Sequence, residues 1–204
     1  MNPESLKLTL MIEPRSKAVP YPVDLDDGRT NQGFKDIKGD PDAAAAIAEV
    51  QDCPSLRDAL IALNAAETHF FTVGCEKSLN EYEGKFWKRG YLEFSFNYAE
   101  LVADARLYFT LFFHFNQAAP VRDFLPKHSV HFGWELQGCR FKKTDAAGFT
   151  CAVWITTDDC ATAEECERVW DEAVDLLVGF LIHFRISNLP PSPPIYGPSS
   201  HPSS

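Results

Sequence analysis

The sequence predicts an α+β domain, in which an antiparallel sheet of about five strands, built from two hairpins, carries helices on one face. Residues 86–116 and 130–157 alternate apolar and polar side chains with the period of a strand, which predicts the two hairpins. Residues 162–188 instead repeat apolar side chains at intervals of three and four, which predicts a long C-terminal helix. Because the hairpins follow one another along the chain, a parallel doubly wound sheet is not expected.

The stretch 86–116 has the longest alternation in the chain, and we interpret it as one hairpin. Matching the apolar faces of its two arms pairs Phe94 with Phe109 and leaves residues 99–104 as the connection. We expect one face of this hairpin to be buried in the core, with Leu92, Phe94, Phe96, Phe109, Leu111 and Phe113. We expect the other face to be more exposed, with Glu93, Ser95 and Thr110.

The chain before this hairpin combines an irregular part with two short helices. Residues 1–39 contain one alternating stretch, 5–13, which predicts an edge strand, followed by a connection rich in proline, glycine and charge. Asp40 followed by Pro41 is a favourable helix start, and a capping-box pattern at Ser55 predicts a second helix.

A further strand and a second hairpin complete the predicted sheet. Residues 68–75 are predicted to form a strand, with residues 76–84 as the turn into the main hairpin. Residues 130–141 and 149–157 are the arms of the second hairpin. Its apolar face is predicted to contain Val130, Phe132, Trp134 and Leu136 with Phe149, Cys151, Val153 and Ile155.

The last helix begins at a capping box of Thr162 and Glu165 and is predicted to end at Asn188. The sequence therefore predicts one α+β domain over residues 40–188. Residues 189–204 are rich in proline and serine, and we expect them to form a disordered tail.

Composition restricts the kinds of partner and the compartment. The net charge of -10 argues against a nucleic-acid backbone or an anionic membrane as partner, so a protein partner is expected instead. The N-terminus lacks the layout of a signal peptide, and none of the six cysteines occurs in a CxxC pair. We therefore expect a cytoplasmic protein with reduced thiols; the oligomeric state is open.

No motif of a known chemistry occurs in the chain: there is no P-loop, GxGxxG, GxSxG or HExxH. We therefore predict no catalytic residue and no cofactor, and we favour a protein that is not an enzyme. His114, His128 and His131 occur close together along the chain, but we expect hydrogen-bonded or solvent-exposed histidines there, and we predict no metal site.

Two functions fit the more exposed face of the predicted sheet. Our leading hypothesis is a non-catalytic protein-interaction module, such as a chaperone-like, immunity-type or adaptor protein, that binds through this face or through an acidic surface. Trp87, Tyr91 and Phe112 would then be the aromatic anchors. The alternative is a small enzyme or ligand-binding domain that uses the polar side chains of the same face: Glu93, Arg106, Tyr108 and His114. A concave pocket would favour the alternative, and a flat apolar patch would favour the protein partner.

Overall fold

The fold is described from a computed structural model that covers residues 17–24, 32–158 and 160–197. The chain forms an α+β structure with a curled sheet of five strands in the order β1-β4-β5-β3-β2. The strands are β1 (Lys17–Val19), β2 (Phe70–Tyr82), β3 (Lys85–Phe96), β4 (Val130–Phe141) and β5 (Ala146–Thr157). The helices are α1 (Pro41–Ala45), α2 (Pro54–Leu63), α3 (Ala99–Val102), α4 (Ala105–Gln117), α5 (Ala119–Phe124) and α6 (Ala163–His183), with a 3-10 turn at Ala48–Val50. The strand predicted at residues 5–13 lies outside the described residues.

The sheet is mixed, which corrects the prediction of a purely antiparallel sheet. Strand β1 pairs in parallel with β4, with Lys17 beside Cys139 and Val19 beside Phe141. All other strand pairs are antiparallel. The difference arises because β1 comes from the N-terminal segment, whose direction no hairpin turn dictates.

The first hairpin is formed by β2 and β3 and not by two arms within 86–116. Residues 76–82, which we predicted to be a turn, continue β2, and the chain reverses at Glu83 and Gly84, where φ is 51° and 74°. Gly84 suits this position because glycine has no Cβ that would clash at positive φ. The polar residues of 76–82 misled the prediction because the end of this hairpin is exposed on both faces.

The predicted second arm of the 86–116 hairpin is helix α4. Asp104 caps it through its side chain, which accepts a hydrogen bond from the Arg106 N–H at 3.0 Å. The helix buries Tyr108, Leu111, Phe112 and Phe115, spaced by three and four. Apolar residues are so dense here that they fit the strand period and the helix period equally well. Strand β3 already has β2 and β5 as neighbours, so no edge remained for a further strand.

The second hairpin was predicted with the correct faces, but β5 begins at Ala146 and not at Phe149. Strands β4 and β5 pair Trp134 with Val153 and Leu136 with Cys151, so the predicted apolar faces coincide. Strand β5 then pairs Val153 with Leu92 of β3. We call the side of the sheet that carries Leu92, Phe94, Trp134 and Val153 the first face, and the opposite side, which carries Tyr91, Glu93 and Ser95, the second face.

Helices α4 and α6 cover the first face. Helix α6 is capped by Thr162 as predicted, because the side-chain oxygen accepts the Glu165 N–H at 3.1 Å, but the helix ends at His183 and not at Asn188. Its Trp170 donates through Nε1 to the carbonyl of Ile155 at 3.2 Å. From α4, Phe112 and Phe115 contact the indole of Trp134. The first face is therefore a largely aromatic and aliphatic core.

The second face is also buried, by the N-terminal segment and by residues near the C-terminus. The ring of Tyr196 lies 4.6 Å from that of Phe71 and 5.2 Å from that of Phe34, measured between ring centres. Asn97 holds the backbone of Tyr196 with two hydrogen bonds, of 2.6 and 2.8 Å. This finding corrects the prediction of a disordered tail at residues 195 and 196, which are both buried.

The predicted exposure of three residues is also corrected. Glu93 and Ser95, which we expected to be exposed, are buried at 3% and 0% exposure. Glu93 lies against Lys17 of the N-terminal segment, whereas the Ser95 hydroxyl contacts the Tyr108 hydroxyl of α4 and donates to the Phe149 carbonyl. Phe113, which we expected in the core, is 58% exposed because α4 turns it toward the solvent.

Among the described helices, none combines the length and the apolar character that a membrane crossing requires.

Candidate functional site

The seven predicted binding residues are dispersed over three parts of the molecule. Arg106 and His114 are exposed on α4, where the Arg106 guanidinium binds Asp104 at 2.7 Å. Tyr108 and Phe112 are buried against the first face. The structure therefore does not bring together the residues of the predicted aromatic patch or those of the predicted polar site, because each arrangement needed α4 to be a strand beside β3.

The other three predicted residues lie on the second face of β3. Trp87 lines a cleft of about 710 Å³ near the turn of the β2–β3 hairpin, together with His131 and Asp158. Tyr91 and Glu93 lie further along the strand, beside a larger cleft of about 1130 Å³. Only these two predicted residues remain candidates for one common site.

The larger cleft lies between the N-terminal segment, the 3-10 turn and strand β2. We call it the N-terminal cleft and define it by its lining residues Lys17, Tyr21, Gly74, Glu76 and Tyr91. Carboxylates of Asp24, Glu49 and Asp52 and the ammonium groups of Lys35 and Lys77 also line it. A cleft with charges of both signs suits a polar ligand better than an apolar one.

Gly74 is the point where this cleft meets Glu93. A Cβ atom at position 74 would lie 3.3 Å from the Tyr21 hydroxyl, 3.4 Å from Glu93 Oε2 and 3.6 Å from the Tyr91 hydroxyl. These three side chains therefore converge around a glycine that leaves the space between them open. Val73 forms a bulge in β2 next to Gly74, and its carbonyl accepts a hydrogen bond from the Tyr21 hydroxyl at 2.7 Å.

The carboxylate of Glu93 is buried, yet only one of its oxygens is bonded. Oε2 lies 2.5 Å from the ammonium of Lys17, on strand β1. Oε1 has no hydrogen-bond partner among the residues that the structure describes. Leaving a buried charged oxygen unpaired costs on the order of 1–3 kcal/mol or more, so this atom is the natural place for a donor from outside the protein.

The two tyrosines beside Glu93 stay protonated at neutral pH. Burial, and then the negative charge of Glu93, raise the pKa of Tyr21 and the pKa of Tyr91 above the ordinary value. Their hydroxyl groups can therefore donate hydrogen bonds. The ammonium of Lys17 also lies 4.9 Å from the centre of the Tyr21 ring, within the range of a cation–π contact.

A second carboxylate on the same face provides a contrast. Glu135 accepts from the Trp154 indole N–H at 2.8 Å through one oxygen and from the Gln137 amide at 3.0 Å through the other. Both of its oxygens are thus bonded within the protein. Glu93 therefore has an oxygen that can still accept a hydrogen bond, whereas Glu135 has both oxygens bonded.

Comparison with models of protein families, with curated proteins and with solved structures finds no match to this chain. The site must therefore be interpreted from its own residues.

Sequence reasoning found Glu93 and Tyr91 but not Lys17, Tyr21 or Gly74. A glycine inside an otherwise apolar strand can indicate a bulge or a close approach, and Gly74 was a signal of this kind. Nothing in the pattern of the N-terminal segment indicated that Lys17 would reach Glu93, since 76 residues separate them.

Neither thiol chemistry nor a metal site emerges at the cleft. Burial, and then nearby acidic groups, raise the pKa of the Cys75 thiol to about 12, which leaves it protonated and a poor nucleophile. Within the described part of the chain, no three His, Cys, Asp or Glu side chains are grouped closely enough to hold a metal ion.

Proposed function

We propose that this protein is a non-catalytic, cytoplasmic binding domain whose N-terminal cleft takes a small molecule with an ammonium or guanidinium group. The observation that carries the proposal is the buried carboxylate of Glu93, whose Oε1 has no partner among the described residues. A charged donor from a ligand would satisfy this oxygen and be held by a charge-assisted hydrogen bond.

The contacts of Lys17 support a cationic ligand. Its ammonium is bonded to Glu93 and lies over the ring of Tyr21, and these are the two contacts that an ammonium ligand would need. Lys17 belongs to a strand of only three residues, and its side chain is 27% exposed. We therefore infer that a ligand cation enters by replacing the Lys17 ammonium at this carboxylate.

The cysteines support the proposed compartment. All six are free thiols, and five of them are buried. Buried free thiols are usual where the surroundings are reducing and rare in small secreted proteins.

The test is binding of simple amines to the purified protein, measured by calorimetry. We would use n-butylamine and n-butylguanidine as probes, with n-butanol as the uncharged control. Glu93→Gln removes the charge and keeps the shape, so it should weaken binding of both cations at least about tenfold. Lys17→Met removes the competing ammonium, so it should strengthen binding instead.

Glu135→Gln is the matched control, because Glu135 lies on the same face with both oxygens bonded. It should leave amine binding unchanged. The proposal is wrong if n-butanol binds as well as n-butylamine, or if Glu93→Gln and Glu135→Gln have the same effect.

The protein-interaction module remains a second proposal, supported by a group of like charges on helices α2 and α6. Burial, and then the neighbouring carboxylates of Asp171, Asp58 and Glu172, raise the pKa of Asp175. A basic protein partner would relieve this repulsion. The double variant Glu172→Gln, Asp175→Asn should then capture less of such a partner from a cytosolic extract, and equal capture would argue against this surface.

A further inference from the structure

Strand β2 forms one edge of the sheet along its whole length. It has 13 residues, and among the described strands its one neighbour is β3. The backbone groups on its outer side therefore have no strand to bond within the described part of the chain, and such an edge can pair with another strand.

The hydrogen bonds of β3 determine which residues of β2 point outward. Phe86 exchanges two backbone hydrogen bonds of 3.0 Å with Cys160, and the Lys88 N–H donates to the Thr157 hydroxyl at 2.9 Å. The backbone groups of Phe86 and Lys88 therefore point away from β2. Orientation alternates along an antiparallel pair, so their partners Glu81 and Leu79 also point away from β3, and so does Lys77.

The beginning of the β2 edge is closed by side chains. The Thr72 N–H donates to Asn64 Oδ1 at 3.1 Å, and the ammonium of Lys38 donates to the Phe70 carbonyl at 2.7 Å. No such cap covers the backbone of residues 77–81 in the part of the chain that the structure describes. The open portion of the edge thus carries Lys77, Leu79 and Glu81 in the outward positions.

The side chains along this open edge are complementary to those of a second, antiparallel copy of the same edge. If two copies pair antiparallel about Leu79, each Leu79 faces the other, and each Lys77 faces the Glu81 of the other copy. A shift by two residues would place Lys77 or Glu81 opposite Leu79 and would separate the Lys77–Glu81 pairs. A shift by four would place Lys77 opposite Lys77, or Glu81 opposite Glu81, and like charges directly opposite one another are destabilising. The register centred on Leu79 is therefore the one that makes both Lys77–Glu81 pairs.

Exposed apolar side chains lie at the same place. Leu79 is 42% exposed and Tyr82 is 65% exposed, although both belong to a regular strand. Pairing would cover Leu79 from both copies.

We propose that two copies of this chain associate through the outer edges of their β2 strands, antiparallel and centred on Leu79. The pairing joins the two sheets across a twofold axis and makes two Lys77–Glu81 ion pairs. The edge shares Lys77 with the lining of the N-terminal cleft, but the association needs no ligand in that cleft.

The experiment measures mass by sedimentation velocity over a concentration series of the full chain. The wild-type chain should form a dimer at high concentration. Lys77→Glu and Glu81→Lys should each raise the dimer dissociation constant at least about tenfold, because each places two like-charged pairs in the interface. Circular dichroism melts would verify that both variants are folded, since Lys77 also contacts Asp52 at 2.7 Å.

Mixing the two variants provides the decisive result. A Lys77→Glu chain facing a Glu81→Lys chain has opposite charges at both positions, so the equimolar mixture should form a heterodimer with the affinity of the wild type. The proposal is overturned if the wild-type chain is monomeric at all concentrations, as it would be if this edge served an extended peptide of another protein. It is equally overturned if the single variants dimerise like the wild type, or if the mixture stays monomeric.

Discussion

The two faces of the sheet are buried by different kinds of structure. Helices α4 and α6 cover the first face, and the side chains beneath them are mostly apolar. The polar exceptions include Lys88, whose ammonium binds Glu167 of α6, and Thr157, which contacts Cys166 of α6. The second face is covered by the N-terminal segment and by residues 195 and 196, and it buries Glu93, Ser95, Asn97 and Thr150.

This difference teaches where a binding site can arise in such a domain. A helix satisfies its own backbone groups, so it can lie on an apolar face without further polar partners. An irregular covering segment needs hydrogen-bonding partners on the face that it covers, as Asn97 provides for Tyr196. Polar groups are thereby buried on the second face. The Thr150 and Tyr196 hydroxyls are also without a partner among the described residues, but Glu93 is the carboxylate in this group, and its incomplete pairing points to a cationic ligand.

The largest expected effect is on the first face. Phe94→Ala should lower the free energy of unfolding by about 3–5 kcal/mol, because the phenylalanine is fully buried and its removal leaves a cavity. Urea unfolding followed by tryptophan fluorescence measures this change. A loss below about 1 kcal/mol would mean that the first face is not a close-packed core.

Truncation of the C-terminal segment should affect stability slightly less. Ending the chain at Asn188 removes the buried side chains of Ile195 and Tyr196 and leaves Asn97 without three hydrogen bonds, two of its side chain and one of its backbone carbonyl. We expect a loss of about 2–4 kcal/mol relative to a chain that ends at Gly197. Equal stability of the two chains would show that helices alone are sufficient to hold the domain, and the contrast between the faces would disappear.

A smaller effect should appear in the pH dependence of stability. Burial raises the pKa of Cys139, on the second face, to about 11, above the ordinary value of 9.0. The unfolded chain therefore loses this proton at lower pH than the folded chain, and stability falls as the pH rises from 9 toward 11. Cys139→Ala should make that fall less steep, by up to about 1.4 kcal/mol per pH unit. Parallel curves for the two proteins would contradict the burial of this thiol.

The smallest effect is expected at Phe113. Its side chain projects from α4 into the solvent, so Phe113→Ser should change the free energy of unfolding by less than about 0.5 kcal/mol. A loss of several kcal/mol would instead support the predicted hairpin over 86–116, in which Phe113 belongs to the core. The comparison with Phe94→Ala makes this test internally controlled.

Local patterns predicted the first face better than the second. The β4–β5 hairpin and α6 were predictable because their apolar residues fit one period only and their ends carry turn or capping residues. Helix α4 was not, because apolar residues occupy eight of its thirteen positions and fit either period. Asp104, with a side chain that can cap a helix, was the local signal that favoured the helix.

The candidate site was only half predictable. Glu93 and Tyr91 were found because they alternate with the phenylalanines of β3, but their burial depends on segments far away along the chain. Arg106 and His114 do not lie beside Glu93 and Tyr91, because the residues that carry them form helix α4. Long-range contacts of this kind leave no periodicity in the sequence, so pattern analysis cannot detect them.

The hydrogen bonds between Asn97 and Tyr196 also limit how early the second face can be covered while the chain is synthesised. These partners are 99 residues apart, whereas each hairpin joins strands that are neighbours along the chain. Closing so long a loop is entropically unfavourable, and Tyr196 is synthesised after all the described strands and helices. Phe71 must therefore wait for residue 196 before it is covered, and during that interval the nascent protein exposes an aromatic surface that a chaperone could recognise.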